Sequence, residues 1–118
     1  MKTTQEIAAR FHELAQQEKW FEIQDELFAD DVRSIEPANA QLPSVQGKAA
    51  VRRKGEEIVS AVEAVHHSHT SAPVIGGDFF AVGRELDMDV RGAGRTRMKE
   101  VMLYQVKDGR IVAEQFFY

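Results

Sequence analysis

The stretch that decides the fold is Thr96–Tyr118, TRMKEVMLYQVKDGRIVAEQFFY. Apolar residues recur on both sides of its Lys-Asp-Gly-Arg segment at 107–110, so we predict strands over Thr96–Val106 and Arg110–Tyr118. An Asp-Gly pair between two such runs is the strongest short-range signal of a β-hairpin, because both turn residues must accept positive φ. The end of the chain is therefore predicted to be a long antiparallel hairpin.

The faces of this hairpin follow from its pairing. If the Asp-Gly pair forms the turn, Lys107 pairs with Arg110 and the pairing continues without a break. One face then carries Met98, Glu100, Met102, Tyr104, Val106, Ile111, Ala113, Gln115 and Phe117. The other face carries Lys99, Val101, Leu103, Gln105, Val112, Glu114, Phe116 and Tyr118. The first face combines apolar bulk with a few polar groups, which is typical of a pocket lining.

Length and composition indicate one globular domain over residues 1–118. The chain has 118 residues, is 43% hydrophobic and 29% charged, and contains no cysteine. No apolar run approaches the roughly 18 residues of a membrane span, and the first residues lack the apolar core of a signal peptide. The net charge of −4 argues against nucleic acid, whose backbone requires a basic surface. We expect a cytoplasmic protein that binds neither membrane nor nucleic acid.

Three helices are predicted before the long strands. Thr3 and Glu6 have the spacing of a capping box, followed by a helix that ends near Gln17. A second helix spans about 19–28, and a third spans about 48–65 with Gly55 on its apolar stripe. That glycine indicates either close packing or tolerated slack.

Five strands complete the predicted order. A short strand over 32–36 ends at Pro37, and further strands cover about 67–74 and 79–90 before the hairpin. The irregular segment 38–46 could cover a pocket mouth. Helices followed by a meander of long strands indicate an α+β fold with a mostly antiparallel sheet.

Several segments resemble a known family. Leu27-Phe28-Ala29-Asp30-Asp31-Val32, Glu36-Pro37 and Gly47-Lys48-Ala49-Ala50-Val51 are similar to the first half of the SnoaL-like group in the nuclear transport factor 2-like superfamily. Its last hairpin is similar to the segments at 106–112 and 114–118. The resemblance implies a cone-shaped roll in which three N-terminal helices pack on a strongly curved sheet. It also implies a pocket, but members include cyclases, isomerases, dehydratases and an epoxide hydrolase, so the fold does not settle the function.

Glu36 has the position most closely tied to chemistry in this family. In ketosteroid isomerase a proton-shuttling carboxylate precedes a proline after a similar Phe-Ala-Asp-Asp segment. The resemblance weakens elsewhere, because the oxyanion-stabilising tyrosine would fall near Phe11 and the protonated aspartate near Met102. Steroid isomerisation by that mechanism is therefore not expected.

Two carboxylates are candidate catalytic groups. Glu36 is either a general base or a strand-end carboxylate that accepts backbone donors or pairs with an arginine. Glu100 is either a buried polar group of the pocket or a partner of Arg84 across the hairpin.

Candidate ligand-binding residues share a position on the inferred pocket face or at its rim. They are Phe11, Trp20, His67, His69, Met102, Tyr104, Gln115 and Phe117. His67 and His69 share a strand face, but a metal site needs further ligands that the sequence does not offer, so no metal is expected. No phosphate loop, dinucleotide fingerprint or HExxH motif is present, and no cofactor is expected.

Two functions remain open at this point. The first is metal-free acid–base chemistry, such as isomerisation, cyclisation or dehydration, on a small apolar or carbonyl-containing molecule. The second is a non-catalytic module that binds an apolar ligand in the same pocket. We also expect a homodimer, because the apolar second hairpin face has no helix left to cover it.

Overall fold

A computed structural model describes the whole chain, residues 1–118. Three helices are formed: α1 (Thr4–Gln16), α2 (Trp20–Leu27) and α3 (Lys48–Ala61). The strands are β1 (Phe28–Ile35), β2 (Val45–Gln46), β3 (Val62–Thr70), β4 (Val74–Gly76), β5 (Phe79–Val90), β6 (Gly94–Lys107) and β7 (Arg110–Phe117). No helix is long and apolar enough to cross a membrane.

Helix α1 begins at the predicted capping box. The Thr3 hydroxyl accepts the Glu6 backbone N–H at 3.2 Å, and the Glu6 carboxylate accepts the Thr3 N–H at 3.0 Å. Two otherwise unpaired donors are thus satisfied. The buried face of the helix is Ile7, Ala8, Phe11, Leu14 and Ala15, which confirms the periodicity read from the sequence.

Helix α3 ends earlier than predicted, at Ala61 rather than near Val65. The following residues pair with β5, beginning with Val62 opposite Val90. β-Branched residues fit a pleated sheet well, so tertiary pairing prevails over the continuing helical stripe. Gly55 admits close packing, because a Cβ there would lie 3.0 Å from the Phe21 ring of α2.

The sheet is mostly antiparallel, with strand order β2-β1-β7-β6-β5-β3 and β4 paired to β5. Only the β1–β7 pair is parallel among these neighbours. The three helices pack on one face, which we call the concave face, and the result is the predicted α+β cone. Its core includes Phe11, Ile23, Leu27, Val32 and Phe80, all almost fully buried.

The predicted register of the last hairpin is wrong beyond its first two pairs. The turn is as predicted, with φ of 52° at Asp108 and 73° at Gly109, and Lys107 lies opposite Arg110. The register then shifts between Gln105 and Val106, a bulge that sets Gln105 opposite Ala113. One extra residue reverses which face each following side chain occupies.

After this bulge, the side chains of β7 lie on the faces of the sheet opposite to those predicted. Glu114 lies opposite Tyr104 and Phe116 opposite Met102, so both belong to the concave face. Gln115 and Phe117 lie opposite Leu103 and Val101 and belong to the other, convex face.

Candidate functional site

A cavity of about 570 Å³ lies between helices α2 and α3 and the concave face of the sheet. Its apolar walls include Trp20, Phe21, Leu42, Val51, Ile58, Val59, Leu86, Met98, Met102 and Phe116. Its polar and charged lining includes Glu18, Glu36, Lys54, Arg84, Glu100, Tyr104, Glu114 and Tyr118. Apolar walls with a few convergent polar groups are the usual composition of a small-molecule site.

The centre of the polar lining is Lys54 on α3. Its ammonium donates to the Glu36 carboxylate at 2.9 Å, to the Ser34 hydroxyl at 2.8 Å and to the Pro43 carbonyl at 3.2 Å. These three acceptors match the three N–H donors of a lysine ammonium. Lys54 is therefore a buried cation with a complete set of partners.

Two further hydrogen bonds extend this arrangement into a chain. The Ser34 hydroxyl donates to Glu114 at 2.8 Å, while the Tyr118 hydroxyl donates to the second oxygen of Glu36 at 2.7 Å. Both Glu36 oxygens thus have protein donors. Burial, together with the negative charge of Glu36, raises the pKa of Tyr118 to about 12, so its hydroxyl remains a donor at neutral pH.

Local sequence explains why these groups meet. Val32, Ser34 and Glu36 alternate along β1 and its end, so all three side chains point inward. Ser34 is the parallel register partner of Glu114 on β7, which brings hydroxyl and carboxyl side by side. Lys54 lies on the helical stripe of Val51 and faces the same space.

Sequence reasoning missed Lys54, Ser34, Glu114 and Tyr118. A signal for Lys54 existed, because a charged residue three positions after Val51 and four before Ile58 lies on an apolar helix face. Ser34 and Glu36 also follow the inward alternation that begins at Val32. The inward position of Glu114 could not be predicted, because it depends on the bulge and no residue of the hairpin indicates that bulge.

Glu114 is buried together with this network. Burial raises its pKa to about 7, opposed by the Ser34 hydrogen bond and the Lys54 charge and assisted by the charges of Glu36 and Glu100. Near neutral pH this carboxyl is thus close to its midpoint between the protonated and ionised forms.

Glu100 faces the cavity from β6 and makes no hydrogen bond within the protein, unlike Glu36 and Glu114. Burial raises its pKa to about 7, with the Arg84 charge acting against the shift and the Glu36 charge adding to it. Glu100 is the direct cross-strand partner of Arg84, yet the ion pair of Arg84 is with Glu18, at 3.7 Å. The Glu100 carboxyl is therefore available to a ligand.

Arg84 and Trp20 also line the cavity. The Arg84 guanidinium carbon lies 4.2 Å from the Trp20 ring centroid, within the range of a cation–π contact. Glu18 contacts both residues, since it accepts the Trp20 indole N–H at 2.8 Å and lies 3.7 Å from the Arg84 guanidinium. It also accepts the Ser68 hydroxyl of β3 at 2.7 Å. The loop between α1 and α2 is thereby attached to the sheet at the cavity rim.

An aromatic cluster packs behind the cavity wall. Phe11 contacts Trp20, Phe80 and Tyr104, with ring centroids 4.6 to 5.8 Å apart. Phe11 is fully buried behind the wall and does not line the cavity. The Tyr104 hydroxyl has only the Met102 sulfur as acceptor, at 3.7 Å, and burial raises the pKa of Tyr104.

The structure brings together five of the ten residues predicted for the site. Trp20, Glu36, Glu100, Met102 and Tyr104 line the cavity, and their roles toward a ligand stay predictions. The other five do not line it.

Two of those five, Gln115 and Phe117, were predicted on the wrong face, and the two histidines predicted at the pocket or its rim lie outside it. The bulge moves Gln115 and Phe117 to the convex face, where Phe117 is 48% exposed. His67 and His69 lie opposite Asp87 and Glu85 on that same convex face and are exposed, because register shifts in β3 turn its other side chains inward. No group of three or more His, Cys, Asp or Glu side chains is arranged to hold a metal ion.

Comparison with known proteins identifies the family of this chain. The model of the SnoaL-like domain matches residues 2–118. The chain belongs to the SnoaL-like family. A proposed SnoaL-like polyketide cyclase from Mesorhizobium loti is 35% identical over 99% of this chain and all of its own, with a TM-score of 0.93.

More distant structures share the fold alone. A protein of unknown function with a cystatin-like fold from Xanthomonas campestris is 21% identical over 98% of this chain and 90% of its own, with a TM-score of 0.79. A protein with a ketosteroid isomerase-like fold from Catenulispora acidiphila, solved with trimethylamine, is 16% identical over 83% and 73%, with a TM-score of 0.68. No curated protein matches the chain.

Proposed function

We propose that this SnoaL-like protein binds a small carbonyl-containing molecule in its cavity and transfers a proton on it, with Glu100 as the acid–base group. The observation that carries the proposal is the state of the Glu100 carboxyl. It faces a mostly apolar cavity, has no hydrogen-bond partner in the protein, and has its pKa raised to about 7 by burial. General acid–base catalysis is most efficient when the pKa of the catalytic group lies near the working pH.

Glu36 has a different role in this proposal. Its two oxygens accept hydrogen bonds from Lys54 and Tyr118, so this carboxylate is already paired within the protein, whereas that of Glu100 is not. Glu36 instead places a negative charge beside the cavity, which disfavours ionisation of Glu100. Of the two predicted catalytic carboxylates, the geometry favours Glu100 for proton transfer and Glu36 as a positioning residue.

The reaction class follows from the available groups. An ionised Glu100 would remove a proton from the carbon beside a carbonyl, and the protonated carboxyl would return it to another atom of the same molecule. This sequence describes an isomerisation or an intramolecular cyclisation, and it needs no other reactant. The likeness to a proposed polyketide cyclase supports a carbonyl-rich substrate of this kind.

The test is exchange of carbon-bound hydrogen for deuterium. A panel of cyclic ketones, aryl ketones and 1,3-dicarbonyl compounds is incubated with the protein in heavy water, and loss of the α-proton signal is followed by NMR. We expect protein-dependent exchange for part of the panel, reduced about 10²–10⁴-fold by Glu100→Gln. Glu57→Gln, the same change on the exposed face of α3, is the matched control and should leave the rate unchanged.

A binding module without catalysis is the second candidate. It is favoured by the complete pairing of Glu36 and Lys54, which makes that part of the cavity a rigid wall. Native mass spectrometry of the purified protein separates the two candidates. A bound small molecule together with no exchange across the panel would replace the catalytic proposal with the binding module.

A further inference from the structure

We infer that Arg84 is the group that receives the oxygen of the ligand, so that the cavity selects molecules whose oxygen carries or acquires negative charge. The inference rests on the proposed function for its chemical step but has its own binding test. A carbonyl oxygen that gains negative charge needs a hydrogen-bond donor or a cation beside it. Lys54, the buried cation of α3, has its three N–H groups paired within the protein, so another group must receive that oxygen.

Most N–H groups of the Arg84 side chain have no hydrogen-bond acceptor within the protein. A guanidinium carries five N–H groups, and one hydrogen bond within the protein is formed, from Nη1 to the Thr70 hydroxyl at 2.9 Å. The nearest carboxylate oxygen, on Glu18, lies 3.7 Å away, beyond hydrogen-bond distance. The side chain is only 11% exposed and lines the cavity, so its remaining N–H groups are available to a ligand there.

The guanidinium is also held in place. It stacks on Trp20 at 4.2 Å, and the Thr70 hydrogen bond fixes one end of its plane. A planar fork that is already oriented loses little side-chain entropy when it binds a ligand oxygen. Burial lowers the pKa of Arg84, and a negative oxygen in the cavity would offset that desolvation.

Arg84 is placed to act together with Glu100. The two residues are direct register partners on β5 and β6, and both side chains line the cavity. Direct cross-strand partners have Cβ atoms about 4.5–5.5 Å apart, a separation that one small molecule can span. A ligand whose carbonyl oxygen contacts Arg84 would therefore present its neighbouring carbon to the Glu100 carboxyl.

Glu100 and Arg84 would act together in one proton transfer. Glu100 takes the proton from the α-carbon, the electrons of the C–H bond form the carbon–carbon double bond of an enolate, and the carbonyl electron pair moves onto the oxygen. The Arg84 cation stabilises that negative oxygen, as preorganised donors do in oxyanion holes. When the substrate has a carbon–carbon double bond next to the α-carbon, return of the proton from Glu100 to the far carbon of that bond restores the carbonyl and gives the conjugated isomer.

A coloured phenol tests the anion preference without any turnover. 4-Nitrophenol changes absorbance when it ionises, and Trp20, the single tryptophan, reports through its fluorescence when the probe enters the cavity. We expect the probe to quench Trp20 and to ionise, when bound, about one to three pH units below its free value, since a nearby opposite charge shifts a pKa by this amount.

Substitutions assign the shift to its source. Arg84→Met keeps a long apolar stem and should abolish the shift, whereas Arg84→Lys keeps the charge and should preserve part of it. Arg97→Met, at an arginine that is 75% exposed, is the matched control and should behave as wild type. Circular dichroism of each variant verifies folding, and the partial shift of Arg84→Lys guards against a folding artefact in Arg84→Met.

The outcomes are distinct. Equal ionisation of the bound probe in wild type and Arg84→Met would overturn the inference, as would a probe that does not quench Trp20 at all. Glu100→Gln should retain the shift. A retained shift in a protein that exchanges no protons on carbonyl compounds would leave the Arg84 site standing while the proposed chemistry fails.

Discussion

The Lys54 ammonium lies 2.9 Å from the Glu36 carboxylate, and the two side chains are only 7% and 4% exposed. This ion pair joins helix α3 to the end of strand β1 and closes one side of the cavity. Removing one member of a buried pair leaves the other charge uncompensated, which typically costs about 3–5 kcal/mol of unfolding free energy.

The first prediction concerns this pair. Lys54→Met should lower the unfolding free energy by about 3–5 kcal/mol in urea denaturation, because Glu36 loses its cation while it stays buried. The double variant Lys54→Met, Glu36→Gln should recover a large part of that loss, since the isolated charge is gone. If the double variant were as unstable as the sum of the single ones, the two side chains would not be coupled.

The second prediction concerns pH and Glu114. Its folded pKa, about 7, lies above its ordinary value of 4.5, so between these values the folded protein binds more protons than the unfolded chain. Its contribution is therefore fully present below about pH 4.5, is lost as the pH rises to about 7, and stays constant above that. The size of this loss is on the order of 3 kcal/mol.

Glu114→Gln tests that assignment. The amide keeps an oxygen for the Ser34 hydroxyl but cannot ionise, so the fall in unfolding free energy between pH 5 and pH 8 should be smaller in the variant than in wild type. Glu57→Gln, an exposed carboxyl, serves as the control for the substitution itself. Parallel stability curves for wild type and Glu114→Gln would show that Glu114 does not titrate in this range.

The third prediction concerns the convex face of the sheet. Its centre carries exposed apolar residues, including Val101 at 47% and Phe117 at 48%, and ion pairs of mixed sign, such as Arg97 with Asp87, lie at its edge. Such a face is complementary to its own copy across a two-fold axis, so we expect a homodimer. Light scattering should give about twice the 13.3 kDa of one chain.

Charged substitutions identify the contact surface. Val101→Glu and Phe117→Glu should each shift the mass to that of one chain. Phe116 lines the cavity instead, so its replacement by leucine should leave the mass unchanged. A wild-type mass that stays near 13.3 kDa as the protein is concentrated would reject the dimer.

The fold could be predicted from the sequence because its signals are local. The Asp-Gly turn, the capping box at Thr3 and the long alternation of β5 each specify backbone geometry within a few residues. The family segments add the order of the elements. Together these features predicted three helices packed on a mostly antiparallel sheet.

The site was only partly predictable because it depends on long-range placement. A single bulge at Gln105/Val106 moved Glu114 and Phe116 into the cavity and Gln115 out of it. A one-residue change of register cannot be read from alternation when both faces of a strand are apolar. The ion pair of Lys54 could not be predicted for a different reason, because its partners Ser34 and Glu36 lie far away in sequence.

The pH dependence of α-proton exchange in wild type and Glu100→Gln tests most directly whether Glu100 is the acid–base group. The groups around Glu100 are Arg84, Glu36, Glu114, Tyr104 and Tyr118, and Glu114 is the other carboxyl whose pKa lies near 7. A base must be ionised to accept a proton, so the wild-type rate should rise with pH to a plateau with its midpoint near pH 7. Glu114→Gln should keep that rise, whereas Glu100→Gln should lose it along with about 10²–10⁴-fold of the rate. A Glu100→Gln variant with the wild-type rate and the wild-type midpoint would contradict the account.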